Sequence, residues 1–306
     1  AGKGGESVSV TFLDDNGNER SISVQKTGNY EDRLSVAIKC LLHDDDDYQN
    51  FYSCMLDDRC GYLQITSESY DALGDNISAI KKGCYPELTE YYADLIENLE
   101  NKGMQYLIID IRNNGGGYDS VAGALASLFT DKKSHMVSFG YEDAQGYHVE
   151  ESQYIFPDGR YADIPVVVLV NSNCMSAGDG MAKFLGDCPN VTLMGITASS
   201  GVNQNNGGYI YLTDNICVAY PVFLSLSEDG EPFIDTDHTR ENKIPLDVVI
   251  PITSENAKTI FSIDNFDREA MEKGKIVFER DVELEYAVRY LSEQMIGRED
   301  ENEKNE

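Results

Sequence analysis

Positive charge is scarce in this chain. Its 306 residues carry 24 Lys and Arg against 54 Asp and Glu, a formal net charge of −30. Nucleic-acid binding draws its affinity from Lys and Arg neutralising phosphates, and attachment to anionic lipid needs a basic patch. The composition argues against both. Long apolar runs are also lacking: stretches such as Val166 to Val170 are far too short to span a bilayer. The seven cysteines (Cys40, Cys54, Cys60, Cys84, Cys174, Cys188 and Cys217) are scattered, with no CxxC pair and no Cys/His cluster. Neither a zinc site nor a redox dithiol is expected, so no metal is assigned. Most of them, Cys217 included, stand among apolar residues and read as small buried hydrophobes. No GxGxxG spacing and no P-loop ending in Lys-Ser/Thr occurs, and no cofactor is implied. The chain opens Ala1-Gly2-Lys3 without a Met or a signal-like stretch, so a processed or shortened form is expected.

What is present supports a folded protein. Hydrophobic residues make up 41% and aromatics 10%, enough for a substantial core. At this length one large domain, or one domain with a small appendage, is expected. Residues 7–13 and 20–25 alternate polar and apolar around Asp14-Asp15-Asn16-Gly17, the pattern of a β-hairpin. Residues 1–30 therefore form a hairpin unit, 31–297 the main domain, and 298–306 a disordered acidic tail. The run Asp44 to Asp47 reads as a solvated loop or helix start, because calcium loops need spaced ligands and a turn glycine.

From Gly61 the pattern sharpens. Gly61 to Ile65 is a short strand, and Leu88, Tyr91, Tyr92, Leu95, Ile96 and Leu99 recur at helical spacing. Tyr106 to Ile111 and Val166 to Val170 are continuous apolar runs, the mark of strands buried on both faces. Helices are expected over Ser120 to Phe129, Ala177 to Leu185 and Asp281 to Met295, and a third buried strand over Val191 to Met194. Strands alternating with helices at this spacing imply an α/β domain with a largely parallel central sheet.

Two strand-to-helix junctions carry chemistry. After Ile111 come Asn113-Asn114-Gly115-Gly116-Gly117 and then a helix. Consecutive glycines permit positive φ and leave backbone N–H groups uncovered beside a helix N-terminus, where negative charge is stabilised. After Val170 come Asn171 to Asp179, with Ser176 at the helix start. Ser176 and Asp179 could form a helix cap, since Ser-x-x-Asp approximates a capping box. Ser176 could equally be a nucleophile whose developing oxyanion is met by the helix N-terminus.

Together these residues resemble peptidase family S41, the C-terminal-processing and tricorn-type serine peptidases. Tyr106 to Gly117 is similar to that family's strand and its Asp-Leu-Arg, Asn, Gly-Gly turn. Val166 to Asn171, with Met175-Ser176-Ala177-Gly178-Asp179, resembles its nucleophile segment, with Asp in place of the usual Glu. Gly61-Tyr62-Leu63, Gly195 to Gly201 and Arg240 to Val248 are similar to three further motifs in the family's order, so the likeness covers roughly residues 60–290.

The resemblance implies a crotonase/ClpP-like α/β core with a central largely parallel sheet. It also implies that the hairpin before the core is the end of a PDZ-like domain. It makes Ser176 the nucleophile, with an oxyanion hole formed by Ala177 N–H and by Gly116 or Gly117 N–H. One branch of the family uses a lysine base in the loop matched by residues 195–201. Here that position is Ser200 or Gly201, and no lysine lies between Lys183 and Lys243. The tricorn-like branch uses Ser, His and Glu, and Glu241 matches its Glu, the residue that orients the base. Taken alone, Glu241 reads as a surface carboxylate of an acidic chain. The family's His precedes the PDZ-like domain, so a base upstream of this chain is expected, with His238 and His43 as possible bases within it.

The implied function is a serine endopeptidase or C-terminal processing peptidase, with a peptide or unfolded protein as substrate and a cell-envelope or extracellular location. The alternative is a non-catalytic peptide-binding protein on the same fold that has lost its base. A crotonase-type acyl-CoA enzyme would need a basic pocket for the CoA phosphates, which the charge of −30 does not favour.

Overall fold

The computed structural model describes residues 7–14, 17–25, 51–68, 86–202, 204–213, 216–234, 244–260 and 280–305. The chain divides into two compact units. One comprises Ala1–Tyr48 with Phe261–Arg280, and the other Gln49–Ile260 with Asp281–Glu306.

The described part of the first unit is the hairpin read from the sequence. Strands β1 (Ser7–Leu13) and β2 (Glu19–Gln25) pair antiparallel from Ser7↔Gln25 to Leu13↔Glu19. Asp14 closes the turn: its carboxylate accepts from Asn18 N at 2.9 Å and Arg20 Nε at 3.0 Å.

The second unit is built on a six-stranded sheet. Its first strands are β3 (Phe51–Met55), β4 (Cys60–Ile65) and β5 (Tyr106–Asp110). Helix α1 (Pro86–Glu100) leads into β5, and α2 (Asp119–Ser127) follows it. An antiparallel pair follows, β6 (Ser134–Asp143) and β7 (Gly146–Ile155). Then come β8 (Val166–Leu169), α3 (Ala177–Gly186) and β9 (Val191–Gly195). The antiparallel pair β10 (Gln204–Thr213) and β11 (Ile216–Leu226) precedes β12 (Val248–Val249), α4 (Asn256–Ile260) and α5 (Val282–Asn305).

The sheet order is β12-β9-β8-β5-β4-β3, parallel throughout except for the antiparallel β3–β4 edge. The architecture is therefore mixed α/β with a central, mostly parallel sheet. The continuous apolar runs alternate between two cores, as strand geometry requires. Leu107, Ile109, Val166, Val168 and Val170 pack into one core with α1, α2 and α3. Tyr106, Ile108, Val167 and Leu169 pack into the other with Ala287 and Leu291 of α5.

A second sheet, ordered β10-β11-β6-β7, is wholly antiparallel. The β10–β11 ribbon exposes Tyr209, Ile210, Tyr211 and Leu212, residues from both of its faces. Cys217, expected to be buried, lies on that ribbon and is exposed; Cys60, Cys174 and Cys188 are buried as free thiols. The C-terminal helix also corrects the expected boundary. It runs to Asn305 rather than ending near Met295, so residues 298–305 are helical and not a disordered tail. Glu and Lys are good helix formers, and no proline follows Asp281 to stop them.

Candidate active site

Parallel strands send their C-terminal ends to one edge of a sheet, where α/β proteins place their ligands. Here β4, β5, β8 and β9 are neighbours, so the segments after Ile65, Asp110, Leu169 and Gly195 emerge side by side. Two segments far apart in sequence, 111–118 and 170–176, are thereby brought together.

The first is anchored by a buried ion network. Arg112, only 6% exposed, donates to Asp110 through Nε at 3.0 Å and Nη2 at 2.6 Å. Its other bonds reach Asp281 (Nη2 at 2.6 Å, Nη1 at 2.9 Å) and Glu283 (Nη1 at 3.1 Å) on α5. Tyr62 Oη donates to Asp110 Oδ2 at 2.8 Å, and Ile196 N donates to Glu283 Oε1 at 3.2 Å. Burial works to raise the Asp281 carboxyl, but the Arg112 bonds outweigh it and hold the group below its usual range. At Glu283 burial wins and the carboxyl is raised. The Asp-Ile-Arg segment thus locks the root of the glycine turn to β4, β9 and α5.

The turn itself is held on both sides. Asn113 adopts φ 60°, a left-handed conformation that asparagine tolerates, and exchanges bonds with Asn171. Its N–H donates to Asn171 Oδ1 at 3.0 Å, and its Oδ1 accepts from Asn171 Nδ2 at 3.1 Å. Asn114, fully buried, donates through Nδ2 to Ile65 O at 3.1 Å and Glu68 Oε1 at 2.8 Å. Its Oδ1 accepts the Gly116 N–H at 2.8 Å.

The Gly116 carbonyl accepts from Ser67 Oγ at 2.9 Å and from Glu68 N at 3.1 Å. Because a trans peptide points its N–H opposite its C=O, pinning that carbonyl directs the Gly117 N–H away from residues 67 and 68. Gly116 and Gly117 are required by geometry. A β-carbon on Gly117 would stand 2.2 Å from Glu68 O, and one on Gly116 2.6 Å from Ser176 Cβ. Gly115 has open space around it.

Ser176 occupies the second turn, between β8 and α3, at φ 58° and ψ −127°. A non-glycine residue in that region is strained, and such strain gathers at functional sites, including nucleophiles on strand-to-helix elbows. Its N–H donates to Val202 O at 2.7 Å, and Met175 N donates to Asn114 O at 3.0 Å. Only half of the capping alternative is present. Ser176 stands at the N-cap position, yet its side chain makes no cap hydrogen bond. The Asp179 carboxylate interacts with the Ser176 backbone N–H and also joins the 199–202 segment, accepting from Gly201 N and Val202 N, each at 2.9 Å. Burial outweighs these bonds and raises its carboxyl.

The Ser176 hydroxyl is half-buried and carries no hydrogen bond among the described residues. The same holds for the N–H groups of Gly117 and Ala177. Two histidines are described, and both are engaged elsewhere. His135 Nε2 meets Ser138 Oγ at 2.9 Å, and His148 Nε2 meets Asp143 at 2.8 Å. Glu241, His238 and His43 lie outside the described residues. Among the described residues no three His, Cys, Asp or Glu side chains group as metal ligands, and no helix is long and apolar enough to cross a membrane.

The profile of peptidase family S41 matches residues 59–244. The chain belongs to peptidase family S41. Over 184 residues it is 32% identical to the carboxy-terminal processing protease CtpA of Bacillus subtilis (strain 168), covering 60% of this chain and 34% of that one. The matched region thus spans about a third of that relative's length. Among solved structures, a putative peptidase from Parabacteroides merdae ATCC 43184 superposes with a TM-score of 0.53 at 21% identity, over 94% of this chain and 78% of that one. A putative S41 protease from Bacteroides fragilis NCTC 9343 gives 0.51 at 14% identity, over 94% and 66%. At such identities these two establish a shared fold. In this family member the Ser176 and glycine-turn segments lie against each other, Gly116 beside Ser176. Glu68, which no sequence motif marked, joins them from the end of β4.

Proposed function

We propose that this chain carries the catalytic core of a serine peptidase of the C-terminal-processing kind, acting through an acyl-enzyme on Ser176. The observation that carries the reading is the Ser176 backbone. A strained, uncapped serine stands at a helix N-terminus against the bare backbone of Gly116, with its hydroxyl free.

Ser176 Oγ attacks the scissile carbonyl carbon while a base takes its proton. The oxyanion is met by Ala177 N–H and Gly117 N–H, since Gly116 N–H is spent on Asn114. Of the two glycines that the resemblance offered, Gly117 is thus the donor, and Gly116 is the residue that lets the turn approach Ser176. Collapse expels the amine, which takes the proton back from the base, and water then releases the acyl group.

The base is a histidine outside the described residues, supplied upstream or as His238 or His43, with Glu241 orienting it as in the tricorn-like branch. The absence of lysine between Lys183 and Lys243 favours this over a lysine base. The resemblance further supports a crotonase/ClpP-like core, a PDZ-like origin for the hairpin and a location in the cell envelope or outside the cell. A substrate peptide or unfolded protein is read from the same resemblance, and the charge of −30 suits basic segments within it.

The test is incubation of the chain with an unfolded protein beside Ser176→Ala, with products followed by mass spectrometry. Cleavage lost in the variant supports the proposal. Cleavage that persists in the variant overturns it. If neither cleaves, a longer form carrying upstream sequence must cleave and lose activity on the same substitution; continued silence makes the chain a binding protein.

A further inference from the structure

Glu68 is fully buried, and its Oε2 has no partner among the described residues. It closes β4's extension as a single parallel bridge to Gly117. Three of its contacts converge on the glycine turn. Its N–H holds the Gly116 carbonyl at 3.1 Å, its carbonyl accepts the Tyr118 N–H at 3.1 Å, and its Oε1 accepts Asn114 Nδ2 at 2.8 Å. Asn114 Oδ1 in turn fixes the Gly116 N–H at 2.8 Å. An asparagine amide has two orientations, and only the one that turns Nδ2 toward Glu68 presents Oδ1 to Gly116. With Ile65 O, which also accepts Asn114 Nδ2 at 3.1 Å, the Glu68 carboxyl sets the peptide that carries the Gly116 N–H, while the Glu68 N–H and Ser67 Oγ hold the peptide that follows it.

We propose that Glu68 is a positioning residue for the oxyanion-binding turn, its carboxyl acting through Asn114 on the Gly116 N–H and its backbone N–H acting on the Gly116 carbonyl, which together set the direction of the Gly117 N–H. The inference rests on the peptidase reading above for its catalytic meaning, though not for its structural content.

The surroundings give this device a pH dependence. Around the carboxyl stand Tyr92 of α1, Asp119 at the start of α2, Asp179 of α3 and the Cys174 thiol before Ser176. The Tyr92 hydroxyl is also buried without a partner among the described residues. Among the described residues the charged groups facing Glu68 are thus acids. Burial first, then Asp119 and Asp179, push its carboxyl up to about 8, against the lowering bonds from the backbone and Asn114. Glu68 therefore holds its proton well above the usual carboxylate range. Its ionisation puts a charge among acids away from solvent while tightening its hold on the Asn114 amide, so a carboxyl that shifts to relieve the charge carries that amide with it.

The experiment labels the whole chain with 13C-glutamate and 15N-glycine and follows both by NMR from about pH 6 to about pH 9.5. The expected result is a Glu68 carboxyl carbon titrating near 8, with the Gly116 and Gly117 amide shifts following the same midpoint. Glu68→Gln keeps an acceptor for Asn114, so its glycine amides should stay near the low-pH positions and show no midpoint. Glu68→Leu should displace them at every pH.

In a cleavage assay, kcat of the unsubstituted chain should fall as the pH passes Glu68's midpoint. Glu68→Leu should lower kcat by about 10²-fold, with KM nearly constant. Glu68→Gln should restore most of that loss and remove the alkaline fall. Glycine amides that ignore the Glu68 titration, or that keep their positions in Glu68→Leu, would overturn the inference. If no form cleaves peptide, the amides still decide it, and only the peptidase reading fails.

Discussion

Gly116 and Ser176 meet so closely that a β-carbon on the glycine would stand 2.6 Å from the Ser176 β-carbon and 3.1 Å from Ala177 N. The glycine turn after β5 is thus shaped to the Ser176 turn after β8. What joins them is the parallel register that makes Asp110 and Leu169 partners.

The three glycines should respond differently. Gly115→Ala has open space and an ordinary φ, so it should fold and keep its activity. Gly116→Ala and Gly117→Ala combine positive φ values of 92° and 154° with contacts of 2.6 and 2.2 Å. Both should lose activity by at least about 10²-fold, because the turn must move to admit them. Steady-state cleavage with circular dichroism as a folding control checks this, and an inert Gly115→Ala would contradict it.

Strain at Ser176 has a thermodynamic signature. Holding a non-glycine residue in such a conformation costs about 1–3 kcal/mol. Ser176→Ala keeps that strain, whereas Ser176→Gly relaxes it. The glycine variant should therefore be the more stable of the two by about 1 kcal/mol in urea denaturation, although glycine lowers stability at most positions. Equal stabilities would mean that the elbow is unstrained.

Arg112 pairs with Asp110, Asp281 and Glu283 together. Replacing it with Met leaves buried carboxylates without their counter-charge, and such losses cost about 3–5 kcal/mol. Chemical denaturation of Arg112→Met should show that drop, and a change within about 0.5 kcal/mol would show the network to be solvated.

The Glu68 carboxyl makes stability depend on pH with a definite sign. Below the ordinary glutamate value of 4.5, folded and unfolded chains both hold the proton and no contribution arises. Between 4.5 and about 8 the unfolded chain loses it while the folded chain keeps it. The native state then binds more protons, and stability falls by up to about 1.4 kcal/mol per pH unit. Above about 8 the loss is complete. Glu68→Gln removes this dependence. The stability difference between Glu68→Gln and the unsubstituted chain should therefore grow from about pH 5 to about pH 8 and then level off. A difference that does not vary with pH would show that Glu68 is solvated.

Much of the second unit could be read from sequence because its central strands are buried on both faces. Tyr106 to Ile111 and Val166 to Val170 announce themselves as apolar runs, and the turns after them hold the glycines and Ser176. Strands β6, β7, β10 and β11 escaped notice for the opposite reason. Gly146–Ile155 is mostly half-exposed or exposed, and the β10–β11 ribbon shows apolar residues on both faces, so neither carries a clean alternation.

The short range of sequence reasoning explains the other gaps. Asp179 sits three residues after Ser176 and looks like a cap partner alone, but it also bonds to backbone 22 and 23 residues away. Glu68 resembles any acidic residue in an acidic chain. Only the approach of Gly117, whose absent side chain leaves room for the Glu68 carbonyl, reveals its position under the turn.

The central claim, that Ser176 is a nucleophile, is tested most directly by a fluorophosphonate probe that bonds covalently to activated serine. The chain, with upstream sequence added if needed, would be treated with the probe, digested and mapped by mass spectrometry. The expected result is a single adduct on the peptide bearing Ser176, absent in Ser176→Ala and slowed in Gly117→Ala. An adduct on another serine, or labelling undiminished in Ser176→Ala, would contradict the account.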